Sequence, residues 1–363
     1  MPQTLPSTPR ADGFFMPAEW GPHAATWMLF PHRSDVWREG AKPAQKAWVQ
    51  VAAAISQFEP VMVGARAADY AIARAMLPPQ VRVLEMSSND AWMRDSGATF
   101  LKHPDGRVRG VQWGFNAWGG LKGGLYFPWD QDQWVAQKML EAAGVDRYQA
   151  PFILEGGAIH SDGAGTILTT AECLLNPNRN PEMSQAQLEA GLCDYLGAEK
   201  VIWLPLGLHG DETDGHIDNL ACFVREGVVA LAWTDDKSSP HYEPCQAAYA
   251  ALQAAQDAKG RKLEVHKIPL PSRLLVTEEE AAGVDRLPGV TVYTAGEALP
   301  ASYLNFYICN GGVVMPLYGV EEDKSAARAL RNLFPERKVV GVYARDILLG
   351  GGSVHCITQQ QVG

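Results

Sequence analysis

No apolar run in the chain approaches the roughly 20 residues that a membrane-spanning helix needs. No block of Lys and Arg stands out either: 31 basic residues face 41 acidic ones, for a formal net charge of −10. Nucleic acid and anionic membrane surfaces are recognised by clustered positive charge, so neither is expected as a partner. Cysteine is sparse. The six, Cys173, Cys193, Cys222, Cys245, Cys309 and Cys356, lie far apart, with no CxxC pair and no zinc-ligand pattern around any of them. A disulfide-stapled secreted domain would be smaller and denser in cysteine. The first residues carry no charged-then-apolar leader, and the expectation is a cytoplasmic protein whose thiols are mostly small buried apolar groups.

What the chain does have is a hydrophobic content of 47%, with 11 Trp and 35 Gly, which favours many short strands and tight turns over a helical bundle. Residues 1–12, rich in Pro, Thr and Ser, are expected to be flexible, leaving 13–363 as a single α/β domain with no internal linker. Apolar periodicity predicts helices over Ala44–Phe58, Gln131–Ala143, Ser184–Leu196, Glu243–Ala258 and Asp323–Leu333. Between them lie β-type runs at Val61–Val63, Val108–Trp113, Thr166–Thr170, Val201–Leu204, Val228–Trp233, Val313–Met315 and Val339–Val342. The strands outnumber the helices and come in pairs, as expected of repeated ββαβ units.

Two internal echoes support repetition. Phe152–Ser161 (FILEGGAIHS) aligns without gaps on Ile347–Cys356 (ILLGGGSVHC), setting Ser161 against Cys356. Trp92–Phe100 aligns on Gly215–Phe223, setting Asp95 against Asp218. If the units form a ring, equivalent loops converge on one axis.

Chemistry-bearing residues concentrate in four segments: DAWMRD (90–95), LEGGAIH (154–160), DETDGHIDN (211–219) and LGGGSVHCITQQQ (349–361). Gly350, Gly351 and Gly352 leave room for a ligand before Cys356, the candidate nucleophile. His355 is its neighbour, but on a strand adjacent side chains face opposite ways, so the base must come from elsewhere. His216, set among Asp211, Glu212, Asp214 and Asp218, is the better candidate. On an extended segment, His216 and Asp218 would face the same side. A divalent metal is a competing use of this loop, but no second His stands at ligand spacing, so no metal site is expected. Asp95 could instead be an ion-pair partner of Arg94, and Glu155 a turn residue. Taken together, three acids, a His and a thiol suit a planar cation with several N–H donors on an electrophilic carbon, and Trp92 could cover its apolar stem.

The chain resembles the agmatine deiminases within the peptidyl-arginine-deiminase-like guanidine-modifying enzymes. The resemblance is carried by MPAEW, TWMLFPH, WMRDSG, FNAWGG, LEGGAIH, ECLLNPNRNP, DETDGHIDN, YLNFYICNGGVVMP and GGGSVHCITQQ, spread from Met16 to Gln360. It implies a five-bladed, pseudo-symmetric α/β propeller of ββαβ units, the pentein fold, with the active site on its axis. It further implies Cys356 as nucleophile, His216 as acid/base, Asp95 and Asp218 as guanidinium carboxylates, and Glu155 as the partner that orients His216. Trp92 and Gly352 are expected to line the substrate slot, and Glu212 and Asp214 to serve a distal amine. No cofactor is needed; a homodimer is the family-based expectation. Ser353 departs from the family pattern, which reads Asn there. The alternatives are deimination of a peptidyl arginine or another alkylguanidine, and, more distantly, a non-catalytic polyamine binder.

Overall fold

The computed structural model describes residues 2–363. In chain order its strands are β1 (Thr4–Leu5), β2 (His23–Leu29), β3 (Val61–Ala65), β4 (Arg82–Glu85), β5 (Thr99–Lys102) and β6 (Val108–Gly114). They continue with β7 (Arg147–Ile153), β8 (His160–Ser161), β9 (Thr166–Thr170), β10 (Lys200–Leu204), β11 (Ala221–Arg225) and β12 (Val228–Trp233). The last are β13 (Glu264–Pro269), β14 (Tyr307–Cys309), β15 (Gly312–Leu317), β16 (Lys338–Tyr343) and β17 (Gln359–Val362). They form five separate sheets.

Every sheet contains the same unit. A first strand runs antiparallel to a second, and the second pairs parallel with a third, as in β5–β6–β7, β8–β9–β10, β11–β12–β13 and β14–β15–β16. A parallel pair needs a crossover, and a helix supplies it each time: Val135–Ala143, Gln185–Leu196, Tyr242–Ala254 and Glu322–Leu333. The fifth unit is split between the chain ends. β17 pairs antiparallel with β2, which pairs parallel with β3 after the helix Lys42–Ile55. The result is the five-bladed α/β propeller, closed by the joining of its two ends.

Local sequence accounts for these elements. β9 and β12, each second in its unit, are buried along their whole length, and covering on both faces is why β12 reads as an unbroken apolar run. Helix Gln185–Leu196 starts at a capping box between Ser184 and Gln187 and buries Leu188, Leu192, Cys193 and Leu196 along one face. Helix Glu322–Leu333 buries Ala326, Ala327, Leu330 and Leu333 in the same manner.

The N-terminal segment differs from the expectation of flexibility over residues 1–12. Thr4 and Leu5 add a strand to the edge of β7, pairing with Arg147 and Tyr148. The Asp12 carboxylate accepts from Arg109 Nη1 and from the Tyr148 hydroxyl, both at 2.7 Å. An open sheet edge and a partly exposed carboxylate hold residues 2–12, while residue 1 lies outside the described residues. Among the described residues no helix is long and apolar enough to cross a membrane.

Candidate active site

The five units deliver their functional side chains from equivalent places, just ahead of the first strand. Asp95 sits in the single helical turn Met93–Ser96 before β5, and Glu155 precedes the tight turn Gly156–Ala158 before β8. His216 immediately precedes the turn Ile217–Leu220, which carries Asp218 into β11. Asn305 precedes β14, and Cys356 lies in the turn before β17. All six side chains are buried.

Gly157 marks the centre. A Cβ on it would lie 2.5 Å from His216 Nδ1, 2.9 Å from Asp95 Oδ1 and 3.0 Å from Asp218 Oδ2. The slot among these three groups exists because residue 157 has no side chain. Gly352 does the same beside the thiol, where a Cβ would lie 2.5 Å from Trp92 Cζ3 and 3.1 Å from Cys356 Sγ. The cleft leading to the sulfur is lined by Trp92, Trp118, Leu125 and Thr213 and by the backbone of Gly350–Gly352.

Each acid is held by a different partner. Asp95 accepts Gly157 N at 2.9 Å and Trp118 Nε1 at 3.0 Å. Its neighbour Arg94 turns away to Gln360 Oε1 at 2.8 Å, so the adjacent ion pair does not form. Asp218 Oδ2 accepts from His355 Nδ1 at 2.9 Å, and its Oδ1 has no partner. His355 continues to Glu19 Oε2 at 2.8 Å. Both its ring nitrogens are thus engaged by carboxylates, and the residue sits in a turn, not on a strand. His216 and Asp218 likewise meet through a helical turn, not along the extended segment the i, i+2 argument assumed.

Glu155 receives Arg179 Nε at 2.7 Å and turns its free Oε2 towards His216 Nε2 at 3.8 Å. His216 Nδ1 lies 3.9 Å from Asp95 Oδ1, and neither ring nitrogen has a hydrogen-bond partner. Asp214 Oδ2 binds Arg179 Nη1 at 2.5 Å and Asn178 Nδ2 at 2.8 Å, which ties it to the Glu155 anchor, a contact the sequence reading did not assign to it. Glu212 lies against Gly351 at the cleft mouth, and Trp92 is fixed by its Nε1 on Asp90 Oδ2 at 2.9 Å. Ser353 meets the Tyr318 hydroxyl at 3.2 Å.

The electrostatics follow from burial and these partners. Burial would push the His216 imidazole down, but the Asp95 charge, with Cys173 and Glu155 beside it, holds it well above the ordinary range. Burial pushes the Cys356 thiol well up, and the Asp218 and Asp95 charges add to this. Burial raises Asp95 to about 6 despite His216, whereas Arg179 and His216 overcome burial to hold Glu155 at about 2. Both shifts favour an imidazolium beside a neutral thiol. A cation entering the slot would supply the charge that a thiolate needs.

Ligand atoms of Glu155, Cys173 and His216 lie within 4.8 Å of one another. The Arg179 guanidinium on Glu155 and the protonated state of His216 make this donor set a poor host for a divalent ion. Sequence reasoning missed Trp118, Arg179, Gly157 and Asn305. Trp118, Arg179 and Asn305 lie inside motif text (FNAWGG, ECLLNPNRNP and YLNFYICNGGVVMP) but carry no acid/base or nucleophilic signal of their own.

Comparison with known proteins agrees with this geometry. The family model of the Porphyromonas-type peptidyl-arginine deiminases matches residues 15–361. An agmatine deiminase of Pseudomonas aeruginosa is 57% identical over 357 residues, covering 98% of this chain and 97% of that one. The agmatine deiminase of Stutzerimonas stutzeri is 56% identical over 360 residues, covering 99% and 98%. The solved structure of an agmatine deiminase of Enterococcus faecalis superimposes with a TM-score of 0.97 at 48% identity, covering 99% of each chain. The chain belongs to the Porphyromonas-type peptidyl-arginine deiminase family and, within it, to the agmatine deiminases.

Proposed function

We propose that the protein hydrolyses agmatine to N-carbamoylputrescine and ammonia, with Cys356 as nucleophile. The observation that carries the reading is the slot at Gly157, where Asp95, Asp218 and His216 converge beside the Cys356 sulfur. Two carboxylates accept parallel N–H bonds from the guanidinium and fix its plane, leaving one face open to sulfur. As the cation binds, the thiol proton leaves to solvent and the thiolate adds to the central carbon. The His216 imidazolium protonates one nitrogen, the C–N bond breaks, and ammonia departs, leaving a thiouronium on Cys356 and a neutral imidazole. His216 then takes a proton from water as the oxygen attacks. The C–S bond breaks with its electron pair returning to sulfur, and the ureido product loses its extra proton. Glu155, charged and anchored by Arg179, favours the cationic form of His216 before the first proton transfer and again after water has given up its proton.

Agmatine is favoured over arginine because, among the described residues lining the cleft beside the sulfur, none is basic to receive an α-carboxylate. Glu212 at the mouth is the group to receive the distal ammonium. The test is ammonia release from agmatine, arginine and an arginine-containing peptide. Turnover confined to agmatine is expected; comparable turnover of arginine or the peptide would overturn the substrate assignment, and agmatine binding with no ammonia release would favour a polyamine binder.

A further inference from the structure

Asn305 is fully buried and lies ahead of β14, the place from which the other four units deliver Asp95, Glu155, Asp218 and Cys356. Its Oδ1 accepts from His355 N at 2.9 Å and Cys356 N at 3.3 Å. Its Nδ2 lies 2.9 Å from Asn219 Oδ1 and 3.1 Å from Cys356 Sγ. Oδ1 is also near the sulfur, at 3.4 Å, but is committed to the two backbone groups.

The orientation of this carboxamide is determined from both ends. Backbone N–H groups can only donate, so the Asn305 atom facing them is the oxygen. At the other end Asn219 Nδ2 donates to Asp211 Oδ2 at 2.8 Å, and a carboxylate only accepts, which leaves the Asn219 oxygen for Asn305. Asp211 is itself fixed through Oδ1 by Thr213 N at 3.0 Å and Thr213 Oγ1 at 2.6 Å. The chain Asp211–Asn219–Asn305 therefore ends with an N–H aimed at sulfur.

We propose that Asn305 is a catalytic residue that donates Nδ2–H to the Cys356 thiolate, and that Asp211 and Asn219 are positioning residues that prevent its carboxamide from inverting. The proposal rests on Cys356 being the nucleophile. The bond acts at both ends of the covalent cycle. It stabilises the anion once the S–H proton has left and before the S–C bond forms, and again when the C–S bond breaks and the electron pair returns to sulfur. Two carboxylates near the sulfur oppose thiolate formation, and the Ser353 backbone and the Asn305 side chain are the neutral donors that offset them.

The experiment is the pH dependence of iodoacetamide alkylation at Cys356 in the full-length protein without substrate, followed by peptide mass spectrometry. Asn305→Asp replaces the donor with an acceptor and is expected to shift the apparent pKa of Cys356 upward by about one to two units. Asn305→Ala is expected to give a smaller shift, Asn305→Ser to recover part of it, and Asp211→Asn to give a shift in the same direction. A uniform loss of rate with no change in profile, in variants that melt like the parent, would overturn the proposal. Asn305→Ser and Asp211→Asn carry the test if Asn305→Asp does not fold. Because alkylation needs no agmatine, an unchanged profile removes the role of Asn305 while leaving the deiminase reading intact. The expected shift without any ammonia release would do the reverse.

Discussion

Gly157 lies among Asp95, His216 and Asp218, and Glu212 lies against Gly351 of the cleft; each makes a prediction. Gly157→Ala places a methyl group 2.5 Å from His216 Nδ1, inside the slot. It is expected to lower kcat/KM for agmatine by about 10²-fold or more and, through overpacking of the buried slot, to cost about 1–3 kcal/mol of stability, as measured by steady-state kinetics beside urea melts. Glu212 is raised to about 8 by burial and by the Asp211 and Glu297 charges. Below that pH it is mostly the neutral acid, and only the carboxylate pairs with an ammonium. The agmatine KM is therefore expected to fall about tenfold as pH rises from 7 through 9, relative to propylguanidine, which lacks the amine. Glu212→Gln should abolish the difference, and parallel pH profiles for the two substrates in the parent would remove Glu212 from this role. At this scale the sequence was most legible where chemistry is unusual. Cys356 after three glycines and His216 among four acids stood out by their company. Asn305 and Trp118 did not, because an amide and an indole acquire their roles only from what the fold sets beside them.

Between residues and fold, the site depends on short turns and one buried ion pair. The long helices were readable because their apolar spacing records one buried face; the single turns carrying Asp95 and Asp218 have no room for a period. His216 and Asp218 accordingly come together through such a turn and not along one face of a strand. Arg179 was invisible for a related cause: its pairing with Glu155 and Asp214 joins three loops distant in sequence. Arg179→Met strands the Glu155 carboxylate in the interior and is expected to cost about 3–5 kcal/mol in urea unfolding, with part recovered in the Arg179→Met, Glu155→Gln double variant. By contrast, Ser184→Ala removes a capping box from a peripheral helix. It should cost about 1 kcal/mol and leave kcat unchanged; a fall in kcat would contradict the separation of that helix from the site.

Across the whole molecule, the two sequence echoes become geometry. Asp95 and Asp218, matched by one echo, meet at the slot, and His160 and His355, matched by the other, converge on Glu19 at 3.8 and 2.8 Å. Pairing across the ring was not legible, since β17 and β2 stand at opposite ends of the chain and neither announces its partner. Closure also supports the site directly, because Gln360 holds Arg94 and Gln359 Nε2 donates to Ala98 O at 2.9 Å. Removing residues 359–363 leaves β2 as an open edge, and the expected outcome is loss of a single cooperative unfolding transition by calorimetry together with loss of activity. The most direct measurement of the central claim is ammonia release from agmatine by Cys356→Ala beside the parent protein. The expected result is no release above the uncatalysed background with agmatine binding retained; appreciable turnover by Cys356→Ala would contradict covalent catalysis at that sulfur.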